Sequence, residues 1–137
     1  MITRRMLVRN LTTKFGENAG KIWQTLYDTG NVDEVALQEK TRLSKNDFYA
    51  GIGWLARENK IKKTNEYYSL DNTNLTDDVG VVAGRVWKIL DIWDEADITT
   101  LKKLSDSSEE DVYAALGWLA REGKVDHKAG RYTLATE

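Results

Sequence analysis

The chain has 137 residues, 41% of them hydrophobic and 31% charged, with a net charge of −2 at pH 7. This balance is typical of a globular protein and excludes an intrinsically disordered one. The absence of cysteine excludes disulfides, thiolate metal sites and cysteine nucleophiles.

The charge is unevenly distributed along the chain. Residues 1–15 carry a net charge of +4, residues 16–76 carry −1 and residues 77–137 carry −5. Any attraction to nucleic acid is therefore expected from the first half. No apolar run approaches the ~20 residues that span a bilayer, and the N-terminus lacks the features of a signal peptide. We expect a cytoplasmic protein without a membrane partner.

An internal repeat organises the sequence. Residues 10–70 align with residues 74–134 without a gap, at a shift of 64 positions and with 23 identities in 61 pairs. The repeat predicts a basic N-terminal segment (1–9), copy one (10–70), a linker (71–73) and copy two (74–137).

Each copy is predicted to contain three helices followed by a β-hairpin. In copy one, the third helix is expected at about 45–58 and the hairpin at about 60–70. In copy two, Thr76 is the expected N-cap of a helix at about 77–92. A short second helix and a third helix from Ser108 to about Glu122 follow, and Gly123 ends the third helix before a hairpin that closes near Leu134.

This order predicts a mainly α protein with small β-hairpins (α+β), made of two tandem winged helix-turn-helix domains. The segment from Val112 to Val125 resembles the recognition-helix-to-wing junction of winged-helix regulators. Ala-Gly-(Lys/Arg)-(Ile/Val)-Trp, followed later by Gly-Trp-Leu-Ala-Arg-Glu, resembles a family of small prokaryotic winged-helix domains of unknown function. The resemblance covers nearly all of both copies and implies the fold, but no activity.

The first functional hypothesis is a nucleic-acid-binding module of the transcription-regulator type. Base readout needs donors and acceptors on the exposed face of the third helix, and its middle holds only alanine and glycine. Phosphate contact through copy one would therefore dominate. The candidate residues are Arg4, Arg5, Arg9, Lys45, Asn46, Arg57, Lys60, Lys62 and Lys63.

The alternative is a protein-interaction adaptor that uses the small-residue face of the third helix, particularly in the acidic copy two. Small residues flanked by aromatic ones allow another helix to approach closely, and aromatic anchors are enriched at interfaces. The candidate residues are Tyr49, Trp54, Tyr113, Ala114, Gly117, Trp118 and Arg121. A third possibility is that these aromatic side chains fold back onto the wing or the first helix.

Three other features carry expectations. Trp23 and Trp87 are expected in the core or between the copies, and Trp93, which has no counterpart in copy one, is expected to fill the contact between copies. The mid-helix glycines Gly20 and Gly84 suggest close packing of another element.

No catalytic constellation is recognisable. His127 is expected to be solvated in the wing, and no second histidine or cysteine can complete a metal site with it. There is no glycine-rich phosphate loop and no convincing Ser/His/Asp set. We expect a non-enzyme without a cofactor, a metal or a small-molecule substrate.

Overall fold

Both copies fold into three helices and a three-stranded antiparallel sheet in the computed structural model, which describes residues 10–135. The predicted order of elements and the mainly α class with small sheets are confirmed. Arg4, Arg5 and Arg9 of the basic segment lie outside the described residues.

Copy one contains three helices and three short strands. Their bounds are α1 (Leu11–Thr29), β1 (Val32–Asp33), α2 (Glu34–Thr41), α3 (Lys45–Arg57), β2 (Ile61–Thr64) and β3 (Tyr67–Leu70).

Copy two repeats this pattern. Its elements are α4 (Thr76–Trp93), β4 (Glu95–Ala96), α5 (Ile98–Ser105), α6 (Glu109–Arg121), β5 (Val125–Lys128) and β6 (Arg131–Leu134). The linker predicted at 71–73 lies between β3 and α4.

Each sheet contains a short strand that the sequence did not predict. The strand orders are β1-β3-β2 and β4-β6-β5, both antiparallel, with Val32 opposite Tyr68 and Ala96 opposite Tyr132. The first strands have only two residues each, too few for an alternating pattern to be recognised. They tie the end of the first helix to the wing.

Local capping explains where most helices begin and end. Ser44 and Ser108 accept hydrogen bonds from the backbone N–H three residues later, at the start of α3 and α6. The predicted glycine terminator is confirmed, because Gly123 has φ +70° immediately after the C-cap of α6.

The predicted Thr76 N-cap is wrong. Thr76 is the first residue of α4, and the capping position, Leu75, offers no side-chain acceptor. Asn10 does cap α1, but its counterpart Asn74 bonds instead to the backbone of Lys63 in β2. This bond fixes the linker to the wing of copy one.

The two copies share interlocked cores. Leu11 and Phe15 of α1 belong to the core cluster of copy two, and Leu75 and Val79 belong to that of copy one. These four residues occupy equivalent positions of the repeat, so the exchange is reciprocal. The copies are thus one packed unit and not two independent domains.

Two expectations from the first helices are wrong. A Cβ on Gly20 or Gly84 would have no neighbour within 4 Å, so neither glycine marks a close approach. Trp93 is 58% exposed and lies on an outer surface of copy two, not between the copies. Trp23 is partly buried against the copy-one core, whereas Trp87 remains 39% exposed.

Candidate functional site between the two third helices

The third helices of the two copies, α3 and α6, form the most extensive contact between elements of the described chain. At their N-terminal ends, Lys45 Nζ lies 3.3 Å from Glu110 Oε1. At their C-terminal ends, Arg57 Nε lies 3.1 Å from Glu122 Oε2. Because like ends meet, the helices are parallel.

The closest approach in this contact is backbone to backbone. A Cβ added to Gly53 would overlap the carbonyl group of Ala114, and one added to Gly117 would overlap that of Ala50. Both alanines are buried, at 0% and 6% exposed for Ala50 and Ala114. Small residues at such a crossing let two helices approach until Cα–H groups meet carbonyl oxygens.

The small-residue face of the third helix is therefore not a free surface. The sequence places Ala114 and Gly117 on an exposed face, and the structure instead buries both against copy one. The helix that approaches belongs to the same chain. An external partner cannot reach either residue while the copies remain packed together.

The tryptophans at the borders of this face fold back onto the first helices. Trp54 packs on Gly16 of its own copy, and Trp118 packs on Gly80 of its own copy. An arginine from the opposite copy covers each indole. The guanidinium of Arg121 lies 5.9 Å from the Trp54 ring centre, and that of Arg57 lies 5.8 Å from the Trp118 ring centre.

The tyrosines at the other border have different surroundings in the two copies. In copy one, the hydroxyls of Tyr49 and Tyr68 donate to the carboxylate of Glu34 over 2.7 Å and 2.8 Å. In copy two, Ile98 occupies the position of Glu34, and burial raises the pKa of Tyr113. The two wings are therefore chemically distinct despite their common fold.

The Glu34 carboxylate is the most strongly organised acid of the site. Partial burial acts to raise its pKa, but the hydrogen bonds from Tyr49 and Tyr68 and the positive charge of Lys63 outweigh this effect, so the pKa of Glu34 lies below its usual value. The Lys63 ammonium is 3.5 Å from the carboxylate and 5.5 Å from the Tyr68 ring centre. Lys63 is thus engaged within its own copy.

Most of the described candidates for nucleic-acid binding contact carboxylates. Lys45 pairs with Glu110 across the copies, and Lys60 lies 3.6 Å from Glu58. Among the described side chains, Lys62 makes no ion pair, and Asn46 borders a cavity of about 480 Å³ between α1 and the wing of copy two. His127 borders the same cavity and is exposed, as predicted. The pKa of its imidazole is lowered because the ring is partly desolvated and lies near Lys14.

A cluster of charges surrounds the C-terminal ends of the parallel helices. Each carboxylate accepts from an arginine of the opposite copy and lies near a lysine of its own copy. The members of this C-end cluster are Arg57, Glu58, Lys60, Arg121, Glu122 and Lys124. The arginines and lysines remain about half exposed, so four cations surround two acids at one surface.

Sequence reasoning missed several residues of this arrangement. Glu58 and Glu122 are identical in the two copies, at the shift of 64, and this identity was the available signal. Gly16 and Gly80 carried the same signal. Glu34 carried none, because its partners are brought together only by the fold.

No metal centre and no membrane-spanning helix is found in the described part of the chain. Across residues 10–135, no three His, Asp or Glu side chains cluster in a way that could hold a metal ion. The helices in this range are also too short or too polar to cross a bilayer.

Comparison with protein families gives a match to each copy. A family model described as "Winged helix-turn-helix domain (DUF2582)" matches residues 11–72 and, a second time, residues 70–135. Searches among curated proteins and solved structures gave no match.

The close approach of the helices predicts opposite effects for two glycine substitutions. We expect Gly117→Ala to lower the free energy of unfolding by about 1–3 kcal/mol, because the added methyl group forces the helices apart. The control is Gly84→Ala, at an exposed helical position with open space, which should raise stability by roughly 0.5–1 kcal/mol. Both values are measured by urea denaturation, and equal effects would contradict the helix contact.

The Glu34 network predicts a pH-dependent contribution to stability. Because the pKa of Glu34 is lowered on folding, its carboxylate stabilises the protein above the pKa of the unfolded chain, and this contribution is lost as the pH falls through the folded pKa. We expect Glu34→Gln to cost about 1–2 kcal/mol at pH 7, and the difference from the wild type should shrink towards pH 3.

The control for this measurement is Glu39→Gln on the exposed side of the same helix. It should change stability by less than about 0.5 kcal/mol. A gap between wild type and Glu34→Gln that stays constant from pH 7 to pH 3 in denaturant titrations would show that the charge of Glu34 is unimportant.

Proposed function

We propose that this chain, which belongs to the DUF2582 family of winged helix-turn-helix domains, is a regulator-type binding module that acts by protein contact. A winged-helix domain supports a nucleic-acid-binding or regulator-type module in general. Such domains are typically non-enzymatic.

The packing of Gly53 on Ala114 carries the proposal. In a helix-turn-helix protein, the recognition helix must enter the major groove with its outer face free. Here that face of α3 is covered by α6, and that of α6 by α3. Neither helix can present its middle to base edges.

Separating the copies to free these helices would be costly. It would remove Leu11, Phe15, Leu75 and Val79 from the cores that bury them. At about 2 kcal/mol for each large apolar side chain, the cost is on the order of 8 kcal/mol. The binding free energy of a complex with nanomolar affinity is about 12 kcal/mol in total. Separating the copies would therefore offset most of that binding free energy.

Local charge also disfavours the acidic copy as a reader of DNA. The N-terminal end of α6, which would approach phosphates, carries Glu109, Glu110 and Asp111. A protein partner, by contrast, can bind a single packed unit whose two copies differ in chemistry. We therefore favour an adaptor role, with the contact surfaces away from the covered faces of the third helices.

A second candidate, contact with the nucleic-acid backbone, is favoured by the C-end cluster. Its four cations exceed its two carboxylates, and all four side chains remain about half exposed. Phosphate oxygens could replace some of the glutamate contacts without reading any base. Arg4, Arg5 and Arg9, with Lys62 of the wing, stay proposed contributors to such binding.

The primary proposal predicts that the chain selects no DNA sequence. We expect repeated selection from a random duplex library, at physiological salt, to enrich no motif, because the recognition helices are covered. A commercial winged-helix repressor carried through the same rounds is the positive control. An enriched motif bound at nanomolar affinity would refute the adaptor proposal.

The second candidate predicts weak, salt-dependent binding that depends on two lysines. We expect the double variant Lys60→Glu, Lys124→Glu to weaken duplex binding at low salt and to reduce the salt slope by about two. Lys40→Glu with Lys103→Glu changes the charge equally at the far ends of α2 and α5 and should have little effect. Equal losses in both variants, measured by fluorescence anisotropy, would rule out a site at the C-end cluster.

A further inference from the structure

The outer surface of copy two carries an apolar stripe that the fold does not require. Val81, Ile92 and Trp93 of α4 and Leu104 of α5 are 52%, 66%, 58% and 43% exposed. We name these four residues the copy-two stripe. Exposed apolar residues scattered singly are normal, but Ile92, Trp93 and Leu104 line one groove together, and such a group marks an interaction surface.

The duplication supplies a control for this observation inside the same chain. At the shift of 64, the positions of the copy-two stripe are polar or charged in copy one. The counterparts are Glu17, Asp28, Thr29 and Lys40. Both copies have the same helices and sheet topology, so neither folding nor helix formation demands apolar side chains at these positions.

The stripe borders a groove with basic residues along it. The groove has a volume of about 300 Å³, and its lining includes Arg85 and Lys88 together with Ile89, Ile92 and Leu104. Neither Arg85 nor Lys88 takes part in an ion pair within residues 10–135. The groove therefore combines an apolar floor with two basic side chains, Arg85 and Lys88, that form no ion pair with any described residue.

This charge distribution argues against a second copy of the chain as the occupant. In a symmetric dimer the same patch meets itself, so Arg85 and Lys88 would lie against a second Arg85 and Lys88. The acidic neighbour Asp91 is about 120° around the helix from Arg85, and it makes no ion pair with Lys88 within residues 10–135 although it lies three residues after it. An acidic partner would be attracted where a second copy is repelled.

We propose that the copy-two stripe and its groove bind an acidic amphipathic helix of a partner protein. The stripe runs from Val81 to Trp93, about 18 Å at 1.5 Å per residue, which matches three to four turns of a partner helix. Such a helix would place apolar residues over Ile92 and Trp93 and carboxylates over Arg85 and Lys88. This inference rests on the proposed protein-binding function and names its partner class.

The test is a selection from a displayed library of amphipathic peptides of about four turns, with the intact chain as bait. We expect the enriched peptides to carry Asp or Glu beside apolar residues at helical spacing. The matched test variant is Ile92→Asp, Trp93→Thr, Leu104→Lys, in which copy two receives the residues of copy one. Recovery of the enriched peptides should fall at least about tenfold, as for loss of interface anchors.

The control variant makes the reverse exchange in copy one. Tyr27→Asp, Val35→Thr, Tyr67→Arg removes three exposed apolar side chains with the same net charge change and should leave recovery unchanged. All six positions are exposed, so circular dichroism and thermal melting should show that both variants fold. Arg85→Glu with Lys88→Glu should abolish the preference for acidic peptides.

Three results of the peptide selection would overturn this inference. They are no enrichment of peptides, enrichment of neutral or basic ones, and equal recovery by the copy-two variant. A wild-type dimer in light scattering that the copy-two variant turns into a monomer would also overturn it, because the occupant would then be a second copy. These failures are distinct from failure of the adaptor proposal, which would appear as sequence-specific duplex binding.

Discussion

Gly53 and Gly117 let two parallel helices approach until backbone meets backbone, and the rest of the structure is arranged around this contact. Parallel helices place like ends of their dipoles together, which is electrostatically unfavourable. The sequence compensates at both ends. Carboxylates such as Asp47 and Glu110 lie in the first turns, and Arg57 and Arg121 lie in the last. Because each arginine also covers a tryptophan of the opposite copy, the same side chains serve charge and packing.

Fusion of the two copies into one chain explains why they could diverge. In a dimer of identical chains, every substitution at the contact appears twice and meets itself. In a single chain, Lys45 can face Glu110 without a lysine facing another lysine. The same freedom allows Glu34 to organise two tyrosines in copy one while Ile98 takes its place in copy two. Covalent linkage thus permits the asymmetry of the two copies.

Local signals in the sequence were sufficient for the architecture of each copy. The helical periodicity, the caps at Ser44 and Ser108 and the glycine at 123 depend on neighbours within a few residues, so they can be recognised without the fold. The cap at Thr76 failed because α4 begins one residue earlier than predicted, and Asn74, the counterpart of the Asn10 cap, bonds to the wing of copy one instead. The partner of Asn74 is the backbone of Lys63, eleven residues earlier in the chain, and no local sequence pattern predicts this contact.

The surface between the copies could not be located from the sequence for a related reason. Alanine and glycine are compatible both with solvent and with a tight helix crossing, so the face with Ala114 and Gly117 has no distinctive pattern. The repeat does carry information, because the two copies share Gly53 and Gly117, but they also share Gly20 and Gly84, where an added Cβ would meet open space. Identity between copies indicates a shared constraint without saying whether the constraint lies within one copy or between two.

The reciprocal contact also limits where a partner can be recognised. The small-residue faces of the two third helices cover each other, which removes the middle of these helices from the available surface. The exposed surfaces of the copies also differ at the outer face of α4, where Ile92 and Trp93 occupy the positions of Asp28 and Thr29. Exposing such side chains favours aggregation unless another surface covers them. Their presence on one copy alone is therefore better explained by binding than by folding.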